Sequence, residues 1–344
     1  MRRLEGWATG SHGSPGDAKH RPQTREDALL TMRDSYRAAS AATPAMIWRT
    51  MSATFLRAAI IALALSVFTR AAGAGETVNF VSLDGHTNLV AHLSRPEGDA
   101  PRPALVMMHG CSGLLDPKGR ILGLYRAWAR ALVVQGYVAL VVDSATPRGF
   151  GQTCSAGPER ITMSRERPKD AYAALQYLQT LPFVQPERIG LMGWSQGGGI
   201  VLLSINDRSI GRPENLAQDF AAAVAFYPGA CSERLQSKPF TQVVSGGWTT
   251  KIPLLTLMGE ADTWTPYPPC EAFLAAAKAR GNPVELKGYP SAFHAFDAPN
   301  LSRHELPQYR NGDGPIPVIA TDRDARFDAF VRVLEFLKIR LETN

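Results

Sequence analysis

Among the 344 residues of this chain, the serine best placed to act as a nucleophile lies between glycines, in Gly193-Trp194-Ser195-Gln196-Gly197. A serine hydroxyl attacks a carbonyl poorly at neutral pH. It needs a base to take its proton, a carboxylate to orient that base, and N–H donors for the oxyanion that forms. The apolar run 189–194 before Ser195, and Gly197-Gly198-Gly199 after it, predict a buried strand, a strained turn and a helix, which together expose the hydroxyl. His294, in Ser291-Ala292-Phe293-His294, follows the last predicted strand and is the expected base; His304, in the polar Ser302-Arg303-His304-Glu305, reads as a solvated loop residue. Gly259-Glu260-Ala261-Asp262 follows another strand, with Asp262 the expected acid and Glu260 second to it. The oxyanion donors are expected to be the backbone N–H groups of Gln196 and of Cys111, in His109-Gly110-Cys111-Ser112-Gly113, with His109 bonding its own loop. Trp194 abuts the serine, Trp264 lies two residues beyond the acid, and Phe293 and Phe296 lie by His294, so an apolar substrate cleft is expected there. Trp248, after Ser245-Gly246-Gly247, is undecided between pocket and core.

The elements that must position these residues alternate along the chain. Residues 77–83 and 87–93 read as an antiparallel hairpin around Asp84-Gly85-His86. Runs at 104–109, 137–143, 188–194, 220–227, 252–258 and 284–289 lack polar alternation, as strands covered on both faces do. Helical patterns at 122–135, 170–181, 270–280 and 324–341 lie between and after them, the last placing Phe327, Val331, Leu334 and Leu341 on one stripe. Strand and helix in alternation predict a mostly parallel, doubly wound α/β sheet with helices on both faces. The polar, Pro-rich stretch 299–322 is expected to be a long loop.

The net charge of +6 and pI near 9.2 are unevenly placed. Residues 1–74 hold ten basic and five acidic side chains, leaving 27 against 26 in residues 75–344, so the folded part is nearly neutral and nucleic-acid binding is not expected. Arg57, the apolar run 58–68 and Ala71-Ala72-Gly73-Ala74 have the order of a secretory signal peptide. Residues 51–74 are therefore assigned to that signal, with cleavage after Ala74. Residues 1–50, without apolar periodicity, are expected to be a disordered or non-native extension, and 75–344 a single domain. Location is expected to be periplasmic or secreted, with no stable membrane insertion after cleavage. Cys111, Cys154, Cys231 and Cys270 all follow that point and allow two disulfides in three connectivities; without a Cys-x-x-Cys pair, no metal site is expected.

From about Glu76 to Leu341 the sequence resembles the dienelactone hydrolase family of α/β-hydrolases. The resemblance is carried by His109-Gly110-Cys111-Ser112-Gly113, Asp143-Ser144-Ala145-Thr146-Pro147-Arg148-Gly149, Gly193-Trp194-Ser195-Gln196-Gly197-Gly198 and His294-Ala295-Phe296-Asp297. It implies the α/β-hydrolase fold, a triad of Ser195, Asp262 and His294, and no metal or organic cofactor. The namesake enzymes use Cys where this chain has Ser195, so their thiol activation does not carry over. They also bind a carboxylated lactone through arginines, for which Arg148 is the one counterpart here. In the implied sheet the strands ending at 109 and 143 are neighbours, as are those ending at 227 and 258, so the pairs Cys111–Cys154 and Cys231–Cys270 follow from the resemblance. The expected activity is hydrolysis of a small-molecule carboxylic ester or lactone through an acyl-enzyme. Peptide or amide cleavage uses the same residues and is the alternative, and a noncatalytic binding protein of the same fold ranks below both.

Overall fold

The computed structural model describes residues 75–155, 157–238 and 241–342. The assignments for residues 1–50 and 51–74 lie outside the described residues. The hairpin pairs β1 (Glu76–Val81) with β2 (Asn88–Ser94), and Asp84 caps its turn by accepting the His86 and Thr87 N–H groups. There follow β3 (Arg102–Met108), α1 (Gly123–Val134), β4 (Val138–Asp143), α2 (Pro158–Gln179), β5 (Val184–Trp194), α3 (Gln196–Ile205), β6 (Ala222–Phe226), β7 (Leu254–Gly259), α4 (Tyr267–Ala279) and β8 (Val284–Tyr289). β9 (His304–Glu305), β10 (Val318–Ile319) and α5 (Arg323–Leu341) complete the chain.

Eight strands form one sheet in the order β1-β2-β4-β3-β5-β6-β7-β8. The first two pairings are antiparallel and those from β4 to β8 parallel, as the unbroken apolar runs require. Every residue of β4, β6 and β7 is buried. One core lies under α2, α3 and α4, with Leu175, Ile200 and Phe273 against Val106 and Leu191. The other lies under α1 and α5, with Trp128 and Val333 against Met107 and Val141. The crossovers bring the loops after β3, β5, β7 and β8 to the carboxyl edge of the sheet, where such folds build their sites.

Three elements differ from the sequence expectation. α2 begins at Pro158, three turns earlier than expected, and runs through Pro168. α5 turns Ala325, Ala329, Val333, Leu337 and Leu341 inward while Phe327 stays 51% exposed, because the small alanines let the helix approach the sheet. The stretch 299–322 is not featureless: β9 and β10 pair antiparallel, and a 3-10 turn (Pro307–Tyr309) lies between them.

Candidate active site

β5 ends at Trp194, and Ser195 then adopts φ 55° and ψ −117° before α3 begins. A non-glycine residue there is strained, and its surroundings must hold it. Ser195 N–H donates to the Phe226 carbonyl at 2.9 Å, while its own carbonyl accepts the N–H groups of Gly199 at 3.0 Å and Gly229 at 2.7 Å. The turn closes only because its neighbours lack side chains: a Cβ on Gly193 would strike the Gly197 carbonyl, and one on Gly197 the carbonyl of Met108.

His294 follows β8, is buried, and lies against Asp262 from the β7 loop, with Nδ1 2.7 Å from Oδ2. The carboxylate also accepts the N–H groups of Trp264 at 2.7 Å and Thr265 at 2.9 Å and the Thr265 hydroxyl at 2.8 Å. An ionised carboxylate only accepts, so the proton in the shared bond sits on Nδ1 and Nε2 is left to accept. The structure therefore joins His294 to Asp262 and puts Ser195 on the same sheet edge. Among the described residues no hydrogen bond joins the Ser195 hydroxyl to His294. Tyr227 packs between their loops, following the residue that holds Ser195 N–H and placing its ring 4.5 Å from the imidazole. Glu260 instead lies beside Tyr267 and Gly288, and His304 is exposed in β9.

Gln196 opens α3, where an N–H has no acceptor within its own helix. Cys111 is bonded to Cys154, its carbonyl accepts Thr153 N–H at 2.7 Å, and Gly110 lies against Ser195. The second disulfide joins Cys231 to Cys270, so both expected pairs are present. His109 bonds its loop as expected: Nδ1–H donates to the Gly110 carbonyl at 2.7 Å and Nε2 accepts Ser144 N–H at 3.2 Å. Burial, reinforced by the nearby Arg167 charge, pushes its pKa well below the ordinary imidazole value.

Two expected substrate contacts are corrected. Trp194 points into the core, where it stacks on Phe226 and donates Nε1–H to Asp297 at 2.8 Å. Arg148 borders a cavity of about 770 Å³ with Val90, Leu115 and Phe150. Its terminal nitrogens are all engaged: Nη1 by Ser144 O and Asp170, and Nη2 by Asp84 and Asp170, at 2.7–2.8 Å. It ties the β1–β2 hairpin to α2 and has no terminal donor left for a ligand. Trp264 does reach the site, 5.0 Å from the His294 ring and stacked on Tyr309. Phe293 is half-buried beneath the Arg303 guanidinium, and Trp248 is core, donating to the Leu202 carbonyl.

Four residues near the site escaped the sequence reading. Tyr309 comes from the long loop. Tyr227 ends a predicted strand but shows no signal of its place beside His294. Asp297, fully buried, accepts from Trp128, Trp194 and Tyr227, and burial raises its pKa although those bonds oppose the shift. Arg167, also fully buried, sits in a stretch of alternating charges that reads as a solvated surface.

The dienelactone hydrolase family is matched by residues 89–341. The quorum-quenching protein AidA of Acinetobacter baumannii (strain MDR-ZJ06) is 27% identical over 64% of this chain and 63% of its own length, so the match spans less than two thirds of that relative. A Bradyrhizobium protein named "Probable 2-oxo-3-(5-oxofuran-2-ylidene)propanoate lactonase" is 27% identical over 65% of this chain and 86% of its own. Among solved structures, Thermogutta terrifontis esterase 2, phosphoramylated by tabun, superposes with a TM-score of 0.54 at 16% identity, covering 80% of this chain and 98% of that one; the likeness is one of fold.

Proposed function

Because the chain belongs to the dienelactone hydrolase family, we propose that it is a serine hydrolase that opens small-molecule carboxylic esters or lactones through an acyl-enzyme on Ser195. The observation that carries this reading is the 2.7 Å His294–Asp262 pair, which leaves Nε2 as an acceptor on the sheet edge that presents the Ser195 elbow. In the proposed cycle His294 Nε2 takes the hydroxyl proton as Ser195 Oγ bonds to the carbonyl carbon, and Asp262 stabilises the imidazolium. The tetrahedral oxyanion receives the N–H groups of Gln196 and Cys111. Collapse breaks the acyl–oxygen bond, and the departing alkoxide takes the proton from His294; in a lactone it remains tethered to the acyl chain. Water then attacks the acyl-enzyme, giving its proton to His294, which returns it to Ser195 as the acid leaves.

The name of the Bradyrhizobium relative favours lactones within this ester class, and the Trp264–Tyr309 wall beside His294 suits an apolar or planar substrate. Two disulfides suit an oxidising compartment, so export to the periplasm or the medium belongs to the same proposal. Among the described residues no helix is long and apolar enough to cross a membrane.

A fluorophosphonate probe, with mass mapping of the labelled peptide, tests the nucleophile. Folded protein is expected to be modified at Ser195, and Ser195→Ala to lower p-nitrophenyl acetate and lactone turnover by at least about 10³-fold. Modification elsewhere, or turnover that survives the substitution, would sink the assignment. Amide substrates cleaved faster than esters would move the proposal to peptidase chemistry.

A further inference from the structure

Directly beneath the two segments that supply the proposed oxyanion donors lies Arg167, wholly buried on α2. Its Nη2–H donates to the His109 carbonyl at 2.6 Å and its Nη1–H to Gln196 Oε1 at 3.0 Å. The Thr153 hydroxyl donates to the same Oε1 at 3.0 Å, and Thr153 N–H to the Cys111 carbonyl at 2.7 Å. One guanidinium thus bonds the strand end that leads to Cys111 and the residue after the nucleophile, and Thr153 joins both to the Cys154 loop. The bonded residues are far apart in sequence: 29 positions for Arg167 and Gln196, 42 for Thr153 and Cys111, 43 for Thr153 and Gln196, and 58 for Arg167 and His109.

Burying a cation is costly unless charged or hydrogen-bonding partners offset the lost hydration. Burial lowers the Arg167 pKa to about 10, which still leaves it charged at neutral pH. Asp170, the acid that most favours that charge, is itself bonded by Arg148 and Ser82. The two hydrogen bonds of the Arg167 terminal nitrogens therefore go to neutral oxygens of the oxyanion segments, and its positive charge is not cancelled by a bonded carboxylate. A fixed charge in a site shielded from water acts strongly on any negative charge that develops nearby.

We propose that Arg167 is the positioning residue of the oxyanion site: it fixes the 109–111 segment and the Gln196 side chain relative to Ser195, and its charge supports the tetrahedral intermediate. The inference rests on the assignment of Ser195 as nucleophile. Hydroxyl attack, proton transfer and loss of the leaving group remain with Ser195 and His294; Arg167 acts through the His109 carbonyl and the Gln196 side chain that it bonds, and through its charge.

The test compares Arg167→Gln, Arg167→Lys and Thr153→Val with the unaltered chain, using p-nitrophenyl acetate kinetics, the rate of fluorophosphonate labelling, and near-UV circular dichroism as the measure of fold. Arg167→Gln is expected to lower kcat about 10²-fold or more with KM within about threefold, and to slow labelling by a similar factor, since the phosphonyl oxygen occupies the same donors. Arg167→Lys, which keeps the charge, is expected to recover at least about tenfold of that loss. If Arg167→Gln does not fold, Arg167→Lys and Thr153→Val decide the matter: each is expected to lower kcat several-fold at unchanged KM. A folded Arg167→Gln with kcat within about threefold of the unaltered chain would overturn the proposal, as would unaltered kcat in both milder variants. The assignment of Ser195 fails separately, when the unaltered chain itself is not labelled at that residue.

Discussion

His109 is a neutral histidine by construction. Its two ring nitrogens are committed to opposite roles, Nδ1–H donating to Gly110 O and Nε2 accepting from Ser144 N–H, so a second proton would break the latter bond in a buried site beside Arg167. The consequence for stability has a definite sign. In the unfolded chain the imidazole titrates near its ordinary value of about 6.5, whereas in the folded chain burial holds its pKa well below that. Between those values the unfolded state binds the extra proton, so stability is full above about pH 6.5 and falls as the pH drops from there, by up to ~1.4 kcal/mol per unit. His109→Asn keeps a donor for the Gly110 carbonyl but does not titrate. Urea unfolding at pH 7, 6 and 5 is expected to show a shallower loss for the variant than for the unaltered chain. Parallel losses would mean that His109 does not set the acid sensitivity of the fold.

At the level of elements, the two disulfides close sequence loops of similar size, 43 and 39 residues apart, but they do different work on the site. Cys111–Cys154 joins the loop after β3, which holds the proposed second oxyanion donor, to the loop after β4. Cys231–Cys270 joins the loop after β6, two residues beyond the Gly229 N–H that bonds the Ser195 carbonyl, to α4, and links neither donor-bearing segment directly. Chain entropy therefore predicts comparable stability losses, about 2–5 kcal/mol each, from Cys111→Ala/Cys154→Ala and from Cys231→Ala/Cys270→Ala. The first pair is expected to lower kcat at least about tenfold and the second much less, measured with p-nitrophenyl acetate below the melting transition of both. Equal effects on kcat would separate the 111–154 bond from the site. The strands were legible because buried parallel strands write themselves as unbroken apolar runs, and the elbow because its glycines have a steric reason; which strands are neighbours was implied by the family resemblance alone. The first turns of α2 were not, since their outward face is charged and Pro168 normally marks an end to a helix. That unread stretch carries Arg167, whose guanidinium bonds two distant segments and leaves no periodic signal. Trp194 was misplaced for a related reason: it is the last residue of β5 and packs in the core, and the turn at Ser195 separates the two side chains despite their adjacency in sequence.

At the scale of the whole chain, residues 75–344 carry almost no net charge. The basic excess lies before residue 75, where Arg57 precedes the apolar run 58–68 and the small residues Ala71-Ala72-Gly73-Ala74. β1 starts at Glu76, and every residue assigned to the site lies beyond it, as does the whole of the 89–341 family match. A cut after Ala74 would leave every described strand and every residue assigned to the site in the chain. On the proposed export, the oxidising compartment would supply the oxidant that Cys111–Cys154 requires, which would couple secretion to the proposed catalysis through one covalent bond. Expression in a bacterium with a periplasm, followed by fractionation, N-terminal sequencing and intact mass, is expected to give an active periplasmic or secreted form that begins at Gly75 and lacks free thiols. The same chain started at Gly75 and kept in a reducing cytoplasm is expected to regain kcat on oxidation. Active protein that retains residues 51–74, or full activity with all four cysteines reduced, would overturn that coupling.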